Sequence, residues 1–211
     1  NLAGAHAMLN ENFSDDALVN AQESVNYDYA HRLMNQGKYV EAERMMNDFP
    51  DSDRHAALIN LALVMFDKDK VENKVPATAV LDKVRMQMSE KPANQNELSQ
   101  LMKLISAYSK VDPPQAFRLV DAIVPQLNDL AEASIMVAIF QGGRNIQQGE
   151  LPVGQANSFG FNFDATVLKM LAASDFDRTL KVIDGFTRPE MRYSLRSTLS
   201  DNPLNLQMVS R

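Results

Sequence analysis

The sequence predicts an all-α fold: antiparallel helical hairpins stacked as a short, α-solenoid-like array. Three observations predict it. Apolar residues recur at intervals of three and four, as in Leu58, Leu61, Ala62, Met65 and Phe66 and in Leu98, Leu101, Met102, Ile105 and Tyr108. The composition favours helix, with 12 methionines, 8 glycines and no tryptophan. A short word recurs along the chain: "LVDAIVP" at Leu119–Pro125, "VLDKV" at Val80–Val84, "VIDGF" at Val182–Phe186 and, more loosely, "MMNDFP" at Met45–Pro50. No sustained alternation bounded by Asn-Gly or Asp-Gly turns is present, so hairpin strands are not expected.

The pattern places helices at about 24–36, 39–48, 53–67, 76–90, 94–110, 113–126, 128–141, 164–173, 176–185 and 189–200, with one or two weaker helices before them. Asp112 followed by Pro113 and Pro114 reads as a helix start, an aspartate cap followed by proline where no amide donor is needed. Asp175 holds the equivalent place before Phe176. Short breaks between neighbours favour antiparallel packing of consecutive helices.

The copies of the word align on Ala42, Ala77, Ala116 and Thr179. Three residues on stand Met45, Val80, Leu119 and Val182, and one further Met46, Leu81, Val120 and Ile183. Phe49, Val84, Ile123 and Phe186 follow at the seventh place. These positions share one helix face, so the word is expected to be a packing seam. The polar position between them, Asn47, Asp82, Asp121 or Asp184, falls on the opposite side and is expected to be solvated. Arg44, Arg118 and Lys181 stand three residues before it, the spacing of a weak surface pair.

The copies are 35, 39 and 63 residues apart. The first two intervals suit a two-helix repeat, and the third exceeds a unit of ~37 residues by about 26. The stretch from Gln141 to Phe163 has no helical period and holds five of the eight glycines. The chain therefore reads as one helical-repeat domain over 1–211, with an irregular insertion at about 141–163.

"GKYVEA", Gly37 to Ala42, resembles the turn between the two helices of a tetratricopeptide repeat, where Gly, an aromatic and a small residue recur in that order. The resemblance implies that Gly37 makes the turn while Tyr39 and Ala42 pack the helix pair. More broadly the chain is similar to degenerate α-helical repeats of the tetratricopeptide or HEAT kind. That likeness implies a fold and a binding role, and no chemistry.

Composition narrows the function. The net charge of -6 argues against a general nucleic-acid binder, which needs a basic face. No apolar run approaches the ~18 residues of a membrane span. With no cysteine, disulfides, zinc–thiolate sites and a cysteine nucleophile are excluded. Avoidance of thiols gives an exported or periplasmic location a slight edge. The chain opens on Asn1 rather than Met, the start expected of a processed chain or a piece of a longer one.

Catalytic motifs are missing: there is no GxxxxGK[ST], GxGxxG, HExxH, GxSxG or EF-hand loop. His6, His31 and His55 have no second histidine at ligand spacing. "DSDRH", Asp51 to His55, groups two carboxylates, a guanidinium and an imidazole, which suits acid–base work. The simpler reading is a helix start, capped by Asp51, Ser52 or Asp53. Met45, Met46, Met86 and Met88 suit either an adaptable binding surface or core filling.

The insertion is the expected functional segment. Phe159, Phe161 and Phe163 alternate with Gly160 and Asn162 and would point the same way in an extended strand. With Arg144 they form the expected partner-binding set. The function expected is a non-enzymatic scaffold or protein-interaction module, with a protein partner and no cofactor or metal. The alternative is a helical enzyme or small-ligand binder using Asp51, Asp53, His55 and Arg144.

Overall fold

In the computed structural model the described residues are 2–140 and 165–200, and all their regular structure is helical. Ten helices occur among them: α1 (Leu2–Asn12), α2 (Asp15–Asn35), α3 (Tyr39–Met46), α4 (Asp51–Lys68), α5 (Lys74–Gln87), α6 (Gln95–Val111), α7 (Pro113–Phe140), α8 (Ala165–Ser174), α9 (Phe176–Asp184) and α10 (Pro189–Ser200). The chain divides into two compact units, Asn1–Ser89 and Glu90–Arg211.

In the first unit α2 and α3 form one antiparallel hairpin and α4 and α5 another, with α3 and α2 both against α4. Gly37 turns α2 into α3. Its φ of +75° is left-handed backbone, which glycine adopts without strain. The Gly37 amide donates to the Met34 carbonyl and the Lys38 amide to that of Leu33, the paired bonds of a Schellman ending. Ala42 is fully buried and Tyr39 half-buried, so the hairpin closes over a small residue. The core draws on Leu33 and Met34, Met46, Leu58 and Leu61, and Leu81. Fully burying each such leucine contributes about 1.5–3 kcal/mol. α1 packs on α2 without burying a single residue. α2 starts at Asp15, well before the expected 24, because its first turns are too polar to show an apolar period.

In the second unit a single residue, Asp112, separates α6 from α7, and its carbonyl accepts the amides of Gln115 and Ala116. α8 lies against α6, α9 against α8 and α7, and α10 against α8 and α9. Leu104, Ile105, Tyr108, Leu127, Leu168 and Phe186 are fully buried between them. Asn94 caps α6: its Oδ1 accepts the Glu97 amide at 2.9 Å, and Glu97 in turn accepts from the Ala93 amide. Asp175 caps α9 as expected, accepting the Arg178 amide at 2.9 Å.

The two helices expected at 113–126 and 128–141 are one. Pro125 lies inside α7. Its missing amide forfeits the bond to the Asp121 carbonyl, but Pro125 and Asp121 are both exposed, so water meets that carbonyl. Val124 and Leu127 on either side are buried, which holds both halves of the helix on the same core.

The recurring word is buried as its spacing implies. The first, fifth and eighth positions are buried in all four copies; at the fourth, Met45 and Leu119 are half-buried. The acids Asp121 and Asp184 are exposed, but their partners lie on other helices. Asp121 pairs with Arg178 of α9 and Asp184 with Arg196 of α10. Met46 is core, while Met86 is 84% exposed.

Candidate functional site

A cleft of about 300 Å³ opens within the first unit between α2 and the α3–α4 turn. Glu23, Asn26 and Tyr27 line one wall, spaced so that they share one face of α2. Asp48, Phe49, Pro50 and Asp53 line the other. The turn is tight: the amides of Asp48 and Phe49 donate to the carbonyls of Met45 and Met46, and those of Asp53 and Arg54 to the carbonyl of Pro50. Phe49 anchors it as the last apolar position of the first copy of the word, 9% exposed. Tyr27 stacks on Phe49 at 6.0 Å between ring centroids and 28° between planes, yet stays 44% exposed. The His31 ring, one turn on along α2, is 4.5 Å from that of Tyr27 and tilted by 55°. Asn26 is fixed from α1, where His6 Nε2 donates to its Oδ1 at 2.8 Å.

Three of the seven lining residues are carboxylates and none is basic. Glu23, Asp48 and Asp53 are all exposed. The nearest guanidinium along the chain, Arg54, is held by Asp51 at 2.6 Å, and neither lines the cleft. Among the described side chains the lining contains no Ser, Thr, Lys or His, and so no nucleophile beside a base. Among the described residues no group of three or more His, Asp or Glu side chains converges on a metal position. The arrangement sets three carboxylates beside a part-exposed tyrosine.

The corresponding turn of the second unit, between α9 and α10, is sealed. The Asn128 side chain of α7 donates to the Gly185 carbonyl and accepts from the Thr187 amide, both at 3.0 Å. Arg188 grips Glu132 of α7 through two bonds of 2.8 and 2.9 Å. Gly185 approaches so closely that a Cβ there would lie 3.1 Å from the Val182 carbonyl and 3.3 Å from Val124. Glu190 is 6% exposed, and its Oε1 lies 3.9 Å from Arg188 with no hydrogen-bond partner.

Of the described residues named from sequence as candidate catalytic or binding groups, only Asp53 reaches the cleft. Asp51 and Asp53 stand in the first turn of α4, and the residue capping it is Pro50, with no side-chain bond. His55 is half-buried and outside the lining. Arg144, Phe159, Phe161 and Phe163 lie outside the described residues. The α2 wall carried no signal in sequence, because Glu23, Asn26 and Tyr27 match no motif and fall in a polar stretch. No helix among the described residues is long and apolar enough to cross a membrane. No protein-family model matches the chain, and comparisons with curated proteins and with solved structures gave no match either.

Proposed function

We propose that the chain is a non-catalytic helical-repeat module that binds a protein partner. The observation that carries this reading is the cleft, which sets a part-exposed tyrosine beside three carboxylates and, among the described side chains, holds no nucleophile–base pair. The packing supports it. In the first unit α2 meets α4, and α3 reaches α5 through the Glu43–Lys83 ion pair. In the second α6 meets α8 and α7 meets α9. First helices beside first helices and second beside second is the wiring of an α-solenoid-like array, a scaffold widely used for binding. The inference from scaffold to role is analogy, which is why the cleft carries the argument. Arg144, Phe159, Phe161 and Phe163 remain a second proposed contact surface of the same module.

The test is site-specific cross-linking. A photoreactive phenylalanine at position 27 is irradiated in lysate of the source organism, with position 193, also an exposed tyrosine (63%), as control. A discrete adduct at 27 that is missing at 193 is the expected result. Adducts at neither site would count against the cleft as an interaction surface. The same bait lacking residues 144–160 reports on the second surface. A metabolite and metal thermal-shift screen checks the small-ligand alternative, since a bound ligand raises the unfolding temperature.

A further inference from the structure

We propose that the outer face of α5 in the first unit docks a second copy of this chain, the two copies related by a two-fold axis. The inference goes beyond the partner-binding reading and owes nothing to the cleft.

The first observation is exposure. Val71, Met86, Val40 and Val75 are 86, 84, 77 and 76% exposed, the highest values of any large apolar side chains among the described residues. All four belong to α3, to α5 or to the turn that leads into α5. Val75, Ala79 and Met86 recur at helical spacing and, with Val71 one turn earlier, form a single exposed stripe. The buried side of the helix, with Ala77, Val80, Leu81 and Val84, is the opposite one. The Glu43–Lys83 ion pair carries this surface across to α3. Val40 stands one turn before Glu43, and Ala79 and Met86 stand one turn to either side of Lys83. Apolar side chains scattered singly over a surface need no explanation, but four gathered on one layer of one unit do.

Size and charge select the occupant. Covering the four side chains removes roughly 200–400 Å² of apolar surface per copy. That is the apolar part of an interface of roughly 600 Å² a side, the low end for a specific pair, which suits a dimer that forms and dissociates with concentration. The charges beside the stripe are of both signs, Glu72 and Asp82 with Lys74 and Lys83. A rim of one sign selects a partner of the other; a mixed rim suits an isologous contact, in which each charge meets its opposite on an identical face. One placement satisfies both size and charge. With α5 laid antiparallel on a second α5 about an axis near Asp82, Met86 of each copy falls between Val75 and Ala79 of the other, a flexible side chain over the smallest residue of the stripe. In the same register Asp82 of each copy lies beside Lys83 of the other, so Lys83 bridges that carboxylate and its own Glu43.

The experiment is analytical ultracentrifugation of the full chain from about 1 to about 500 µM, the range in which weak dimers dissociate. The average mass is expected to rise from that of a monomer to that of a dimer and to stop there. Met86→Lys alters an exposed position, so the fold is retained, and it should weaken dimerisation at least about tenfold. The chain has no cysteine, so a single introduced thiol reports where the copies meet. With a short bis-maleimide at the highest concentration, Ala79→Cys should join two copies, and Tyr193→Cys, also on the surface, should not. A monomer at every concentration overturns the proposal and leaves the face to a different protein. A dimer that Met86→Lys leaves unchanged, or that joins through position 193 and not through 79, places the contact elsewhere and overturns it as well. Mass that climbs beyond the dimer overturns the two-fold arrangement, because an isologous contact closes at two copies. The cross-linking test at position 27 reports on the cleft separately, so either reading can fall while the other stands.

Discussion

The two turns that follow α3 and α9 occupy the same place in their hairpins and end in the same phenylalanine, Phe49 and Phe186. One is open and the other shut. Around Phe186 a side-chain amide, a gripped arginine and a glycine in close contact tie the turn to α7. Around Phe49 the neighbouring helix stands back, and the groups facing the gap are carboxylates and an exposed tyrosine. The buried seam is shared, so both turns are built by the same apolar periodicity. What separates them is the choice of polar residues. Where the partner helix supplies Asn128 and Glu132, the turn is consumed by internal bonds; where α2 supplies Glu23 and Tyr27, the turn is left for something else.

The largest effects should be equal in the two units, because the seam is common. Leu81 and Ile183 hold the same position in the word, and both are fully buried. Truncating either to alanine removes transfer energy and leaves a cavity, an expected cost of about 2–5 kcal/mol in urea unfolding. A near-neutral result for one of them would mean that the two words do not share a packing role.

Next in size are the bonds that shut the second turn. Arg188→Met removes the guanidinium nearest to buried Glu190 and should cost about 3 kcal/mol, since a buried carboxylate is left without compensation. Adding Glu190→Gln should recover much of that loss. If the double variant is as unstable as the single, Arg188 acts through Glu132 alone. Asn128→Ala leaves the Gly185 carbonyl and the Thr187 amide without their bonds and should cost about 1–3 kcal/mol. The matching change in the open turn, Asp48→Asn, should move stability by no more than about 0.5 kcal/mol. A large loss from Asp48→Asn would show the cleft to be structural.

Much of this fold is written in local pattern. The seam was legible because buried positions recur at helical spacing, and the Asp175 cap because its bond spans three residues. Pro125 misled, since its consequence depends on whether the Asp121 carbonyl meets water, which is a tertiary matter. The α2 start was hidden because residues 15–29 bury nothing and so carry no apolar period. Asp121 and Asp184 were correctly placed on the outer side, but their cations sit 57 and 12 residues away, Arg178 and Arg196, where no local spacing points. The cleft was illegible for the same reason. Its walls are about one hairpin apart in sequence, and each is unremarkable until the hairpin brings them together.

The smallest effect concerns a third turn, between α4 and α5, where one carboxylate works beside the Asn73 side chain, which donates to the Met65 carbonyl at 2.9 Å. Asp69 Oδ1 accepts the amides of Glu72 and Val71, each at 2.9 Å. Those two bonds, that of Glu72 the stronger influence, hold the Asp69 carboxyl below its ordinary value. A group whose affinity for protons falls on folding favours the folded state when ionised. Its contribution is therefore complete above the unfolded value, about 4, and drains away as the pH falls through the lower folded midpoint. A carbon-detected titration should place the Asp69 midpoint below the ordinary aspartate value, and the stability difference between the wild type and Asp69→Asn should shrink as the pH drops below about 4. The amide of asparagine keeps an acceptor in place, so the comparison isolates the charge. A difference that stays constant down to about pH 2.5 would mean that the two amides respond to the oxygen and not to its charge, and that this turn makes no use of being acidic.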